Sequence, residues 1–181
     1  MLKESACLHR GFTLVELIVV LVVVGILGAV GVGRFFRIGD YDGARYANQI
    51  RALIRYGQQA AIAQNRSVFV RLDGGRVALC FTSACAAPDL VGAPGGSNSG
   101  TTATKAACNN TANWACEGLP STVTMALAPT APYAPNAWFS FDAQGRPVPS
   151  TGTQFSLLTI TLNTDGVQGL VRVAPETGYV Y

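Results

Sequence analysis

Residues Phe12 to Val32 read FTLVELIVVLVVVGILGAVGV, and only Thr13 and Glu16 interrupt the apolar run. About 20 such residues are enough to cross the hydrocarbon core of a bilayer as one helix. A chain that opens this way must place the helix in lipid or bury it against protein, because apolar surface is driven out of water. Lys3, His9 and Arg10 precede the run. The positive-inside bias then keeps a short leader in the cytoplasm and sends the rest of the chain outward. A secretory signal peptide needs a shorter apolar core followed by a small-x-small cleavage site. Here a glycine, Gly11, stands before the run instead.

Glu16 is the residue that asks for an explanation. A carboxylate inside a membrane helix costs roughly 2.5–3.5 kcal/mol on insertion scales. One reading is that Glu16 lies close enough to the membrane surface to reach water. The other is that it waits for an opposite charge supplied by another subunit, since ionisable groups inside membranes are usually functional. Other chemistry is thin. The single histidine is His9. If residues 1–11 are removed, the commonest general base and metal ligand goes with them. A net charge of +3 is too small to argue for a nucleic-acid partner. The 13% charged content and positive mean hydropathy exclude a chain disordered throughout.

The stretch Arg10-Gly11-Phe12-Thr13-Leu14-Val15-Glu16-Leu17 resembles the type III signal of type IV prepilins and of type II secretion pseudopilins. The resemblance implies that residues 1–11 are a leader, cut by prepilin peptidase between Gly11 and Phe12, with N-methylation of Phe12. It implies that Glu16 pairs with the amino group of Phe12 on a neighbouring subunit. It also implies passage through an inner-membrane assembly platform. Opposite charges in a low-dielectric bundle attract strongly and fix an axial register. One departure is Gly33, where the family often has proline. Gly25, Gly28 and Gly31 stand nearby, and each weakens a helix by about 1 kcal/mol relative to alanine. The glycines either supply the bend or melting that proline gives relatives, or let helices pack closely.

Beyond the apolar helix, expected over residues 12–33, Arg34, Arg37, Phe35, Phe36 and Tyr41 suit a membrane interface. Asp40 or Asp42 can cap a resumed helix. From Ala44 to Gln64 the small or apolar residues Ile50, Leu53, Ile54, Gly57, Ala60 and Ala61 share one helical face, so an amphipathic helix within residues 34–66 should lie on a sheet. Strand patterns follow at Ser67–Leu72, Arg76–Phe81, Val123–Leu127, Ala137–Phe141, Phe155–Leu162, Val167–Val173 and Gly178–Tyr181. Asp73-Gly74-Gly75 and Asp165-Gly166 should turn hairpins, and Asp142-Ala143-Gln144-Gly145 should end a strand. Residues 82–120 read as a long polar loop, and Ala128–Asn136 as a shorter proline-rich one. The fold class is α+β, an amino-terminal helix followed by an antiparallel head over residues 67–181.

The run ARYANQIRALIRYGQQAAIAQNRSVFVRL resembles the GspH/FimT-like minor pilins and pseudopilins. The RFF…YD…ALIRYGQQAAIAQ pattern is similar to minor pilins of mannose-sensitive haemagglutinin-type pili. These resemblances imply a minor subunit at or near a filament tip, in assembly initiation or adhesion. The alternatives are a pseudopilin of a type II secretion machine and a DNA-capturing pilin.

Cys7 would leave with the leader, and Cys80, Cys85, Cys108 and Cys116 remain. An even number in an exported head fits a disulfide framework. Short loops close most readily, which favours Cys80–Cys85 with Cys108–Cys116. The runner-up, Cys80–Cys116, would staple both ends of the 82–120 loop. With no histidine to help, zinc is a poor reading, and no cofactor is expected. Asn163-x-Asp165-Gly166 lacks the later glutamate of a calcium loop, with Arg172 in its place. No serine or threonine has a histidine partner, so an enzyme is not expected. From Ser67 onward, Arg71, Arg76, Lys105, Arg146 and Arg172 stand against six acids: Asp73, Asp89, Glu117, Asp142, Asp165 and Glu176. A near-neutral head disfavours DNA, although Arg146 and Arg172 remain a candidate small patch. The arginines at 34, 37, 45, 51, 55 and 66 are expected to face headgroups or neighbouring subunits.

Overall fold

A computed structural model describes residues 12–35, 39–73, 75–130, 137–152, 154–164 and 167–181. The chain divides into two compact units, one ending at Ile38 and one running Gly39–Tyr181. The first unit contains helix α1, Leu14–Phe35. It is helical through Gly25 and Gly28, so those glycines do not melt it. Its side chains are described through Ala29. Among the described residues no helix is long and apolar enough to cross a membrane. The large apolar side chains from Phe12 to Leu27 are between 48% and 78% exposed.

The second unit begins with α2, Gly39–Gln64. Asp40 and Asp42 therefore fall inside its first turn rather than ahead of it. Tyr46, Ala47, Ile50, Leu53, Ile54, Ala60 and Ala61 are all buried. Their spacing of three and four residues makes one continuous stripe along the helix. The stripe packs on two antiparallel sheets. The first has the order β3-β2-β1-β5-β6, built from β1 (Val68–Leu72), β2 (Arg76–Cys80), β3 (Cys116–Gly118), β5 (Ala137–Phe141) and β6 (Pro147–Pro149). The second has the order β4-β7-β8, from β4 (Thr124–Ala128), β7 (Leu158–Thr164) and β8 (Val167–Val173).

Alternation along the strands sets which side chains enter the core. Val68, Val70 and Leu72 point inward from β1, and Leu158, Ile160, Leu162 and Thr164 from β7. Phe139 and Phe141 meet edge-on at 5.3 Å, and Phe139 meets Phe155 at 5.4 Å. The Asp142 turn joins β5 to β6: the carboxylate accepts the N–H groups of Gln144 (2.9 Å) and Arg146 (2.8 Å). Gly145 sits there at φ 78°, a conformation that side-chain-bearing residues adopt at a cost.

Several sequence expectations change. Residues 82–120 are not one loop: they hold a 3-10 turn at Pro94–Gly96, helix α3 (Thr102–Ala107) and β3. The alanine- and threonine-rich composition hides these short elements, because their partners are distant in sequence. Strand β6, bounded by prolines, was not expected either. The tail Gly178–Tyr181 is too short for a strand of its own. It lies along β8, with Arg172 and Tyr181 exchanging backbone bonds of 2.7 and 3.0 Å. The Asp165-Gly166 turn lies outside the described residues, as does part of the proline-rich loop.

Close approach of α2 to the second sheet depends on Gly169. A Cβ there would lie 2.6 Å from Ala47 Cβ and 2.8 Å from the Gly43 carbonyl oxygen. Gly169→Val should therefore destabilise the head by about 1–3 kcal/mol, the usual cost of overpacking. Gly75→Ala, where nothing lies within 4 Å, should change stability by no more than about 0.5 kcal/mol. Urea unfolding followed by near-ultraviolet circular dichroism compares the two.

Candidate functional site

The amino-terminal signal is partly described. Residues 1–11, expected to be a leader, lie outside the described residues. Phe12 and Thr13 precede α1, and the Glu16 N–H donates to Thr13 Oγ1 at 3.3 Å. The Leu17 N–H donates to the Thr13 carbonyl at 3.2 Å. Thr13 is thus the N-cap, and Glu16 is the third helical residue. Thr13-x-x-Glu16 is a capping-box pattern, a local signal present in the sequence. A cap of this kind is worth about 1 kcal/mol, and an acid near a helix N-terminus is favoured by the helix dipole. Glu16 therefore has a local role besides any intermolecular one, and its side chain is exposed.

The segment from Cys80 to Gly118 forms the most elaborate part of the head. Disulfides join Cys80 to Cys85 (Cα–Cα 5.2 Å) and Cys108 to Cys116 (6.0 Å). The long Cys80–Cys116 staple is not formed. The ends of the segment are held by strand pairing instead, with Ala78 opposite Cys116 in the β2–β3 register. Ala78, Cys80, Cys108, Trp114 and Cys116 make a small core of their own. Trp114 Nε1 donates to the Leu79 carbonyl at 2.9 Å, and the Arg76 guanidinium lies 5.2 Å from the Trp114 ring centre.

Glu117, on β3, is the hub of this segment. It is 7% exposed. Its Oε1 accepts the Ser99 N–H at 2.9 Å. Its Oε2 accepts the hydroxyls of Ser99 and of Thr104, the latter at 2.9 Å. Thr104 Oγ1 in turn accepts the Gly118 N–H at 3.1 Å. Thr101 caps α3 by accepting the Thr104 N–H at 3.1 Å. The Tyr46 hydroxyl donates to the Glu117 carbonyl at 3.2 Å. Burial, and secondarily the Glu117 charge, push the Tyr46 phenol well above its ordinary range. Sequence reasoning counted Glu117 only as one scattered acid. Its partners are 13 to 18 residues away in sequence, too far for a local motif. Between α2 and this segment lies a cleft of about 380 Å³.

The arginines correct another expectation. Three of those assigned to headgroups or neighbours hold the head together. Arg51 donates to the Leu170 carbonyl at 2.7 Å, and Arg55 to the Val180 carbonyl at 2.8 Å. Arg66 stacks 3.7 Å from the Phe81 ring centre. Arg146 pairs with Asp142 at 3.0 Å. Arg172 sits on β8 opposite Thr159. Among the described residues nothing joins Arg146 to Arg172, and the Arg146 charge is offset by its own turn. No cluster of three or more metal-binding side chains occurs among the described residues.

The family model of the type II transport protein GspH matches residues 46–177. The chain belongs to the GspH family. The prokaryotic N-terminal methylation motif matches residues 8–32, so this GspH-family chain joins that motif to the antiparallel head. No curated protein matches it. Among solved structures it is similar to the type IV minor pilin FimU of Pseudomonas aeruginosa in two crystal forms. The first is 15% identical over 78% of this chain and 87% of that one, with a TM-score of 0.48. The second is 16% identical over 75% and 87%, with a TM-score of 0.44.

The Glu117 hub makes a direct prediction. Glu117→Ala leaves the buried Thr104 hydroxyl without its acceptor, at about 1–3 kcal/mol for an unsatisfied group, while the exposed Ser99 can turn to water. Urea unfolding should show a loss of about 1–3 kcal/mol. An unchanged midpoint would mean that the disulfides and the β2–β3 pairing hold the segment without Glu117.

Proposed function

We propose that the chain is a minor subunit of a type IV pilus, acting by assembly rather than catalysis. The observation that carries this reading is the joining of an amino-terminal methylation motif over residues 8–32 to a GspH domain over residues 46–177. In this reading prepilin peptidase cuts between Gly11 and Phe12, and Phe12 is N-methylated. The subunit waits in the inner membrane as a single pass with its head in the periplasm. The assembly platform then moves it into the filament, where α1 packs against α1 of other subunits. The exposed apolar side chains from Phe12 to Leu27 support an obligate apolar environment for α1. Each large side chain contributes roughly 1.5–3 kcal/mol on full burial, so the whole helix contributes on the order of 20 kcal/mol. That exceeds the few kcal/mol cost of carrying Glu16 into the same environment.

Glu16 sets the register in this account. In this reading its exposed carboxylate pairs with the amino group of Phe12 on a neighbour. A second reading, a pseudopilin of a type II secretion system, is favoured by the description of the matched family as a type II transport protein. The two differ in partners, not in subunit physics. Capture of DNA by the head is the least supported reading, since Arg146 is already paired.

Glu16→Ala in the full-length chain should leave leader cleavage intact and reduce recovery in sheared filaments at least tenfold. The amount of mature chain in the filament fraction against the envelope fraction measures this. Normal incorporation of the variant would remove the register role. Recovery of the wild-type chain only from an envelope complex, with loss of protein secretion on deletion, would select the pseudopilin reading.

A further inference from the structure

Assembly through α1 leaves one feature of the head without a task. The cleft between α2 and the 93–99 segment has a volume of about 380 Å³ and is lined mainly by apolar surface. That is within the range of specific binding sites, which are apolar with a few convergent polar groups. Ala52, Leu53 and Tyr56 line it from α2, together with Gln49. Asn98 and Glu117 are among the residues that line the facing side. The Tyr56 ring is held in place because its hydroxyl donates to the Gly92 carbonyl at 3.0 Å.

Glu117 is the chemically informative member. An ionised carboxylate offers about four acceptor positions. Among the described residues Oε2 takes two hydroxyl donors, and Oε1 takes the Ser99 N–H alone. All three donors are neutral, so they solvate the charge without cancelling it. Among the described residues no cation pairs with Glu117; the ion pairs there use Asp73 and Asp142. Arg45 lines the neighbouring cleft and is not paired with it. A carboxylate at 7% exposure with three neutral donors and no cation keeps a charge that an incoming cation can offset.

We propose that this cleft receives a lysine or arginine side chain of an adjacent subunit. The proposal rests on the filament reading for the identity of the partner. The aliphatic stem of such a side chain fits the Ala52–Leu53–Tyr56 wall, as long basic side chains lay their stems along apolar surface. The charged head meets Glu117 Oε1, with the Tyr56 ring available for a cation–π contact. The contact fixes the lateral setting of the head, where Glu16 fixes the axial register of α1.

Two measurements test this. The full-length chain in detergent micelles is titrated with n-butylammonium chloride and, separately, with n-butanol. The Ser99, Gln49 and Asn98 amide resonances report binding. Butylammonium should shift them saturably and bind about tenfold or more tightly than butanol, the factor a charge-assisted hydrogen bond supplies. Ala52→Phe, which fills the cleft from an exposed position, should keep the melting temperature and abolish the response. Equal binding of the two probes, no saturable shift, or an unaffected Ala52→Phe chain would overturn the proposal. A photo-crosslinking amino acid at position 52 in assembled filaments supplies the second measurement. A crosslinked peptide from another subunit with Lys or Arg at the attachment point supports the partner assignment. No crosslink, or one to a segment lacking a basic residue, overturns it. The titration needs no filament, so its failure leaves the filament reading untouched. A positive titration beside normal assembly of Glu16→Ala would remove the register and keep the cleft.

Discussion

The apolar surface of α1 is the constraint on which the rest depends. The head satisfies itself: α2 lays one stripe on two sheets, and the largest buried side chains, Phe139, Phe141, Ile50 and Ile54, are fully enclosed. The side chains of α1 from Phe12 to Leu27 have no such cover. A helix of that composition is stable only where water is absent. A bilayer and a bundle of like helices are the two environments that the proposed filament reading gives it. Glu16 costs little against that drive, and its backbone and Thr13 already shape the helix start. Thr13 caps the helix through the Glu16 N–H, which leaves the Glu16 carboxylate exposed for the proposed register contact.

The second theme is how a small head holds a long excursion from its sheet. The segment after β2 leaves, forms α3 and returns as β3. Two disulfides close short loops within it, but neither joins its ends. That task falls to the β2–β3 pairing and to the Glu117 network, in which a carboxylate gathers three donors. Covalent and polar constraints act on different distances here. The disulfides fix local loops, and Glu117 fixes the packing of those loops on β3 and near α2.

Much of this was legible from residue order. The alternation in VFVRL and LTITLNT marks β1 and β7 because each strand has one buried and one outer face. The stripe from Ile50 to Ala61 marks α2 for the same reason at a helical period. What escaped depends on contacts between distant residues. Helix α3 and strand β3 are short and compositionally bland, and their partners become visible only in three dimensions. Arg51 and Arg55 looked like surface charges, yet they reach carbonyls 119 and 125 residues away. Glu117 looked like any other acid for the same reason. The Thr13–Glu16 cap is different: its pattern is local and readable within an otherwise apolar run.

The most direct measurement is the intact mass of the chain recovered from sheared surface filaments. The account predicts a species that starts at N-methylated Phe12 and lies four hydrogens below the reduced mass, one pair for each disulfide. A chain that still carries residues 1–11, found in the envelope and absent from filaments, would contradict it.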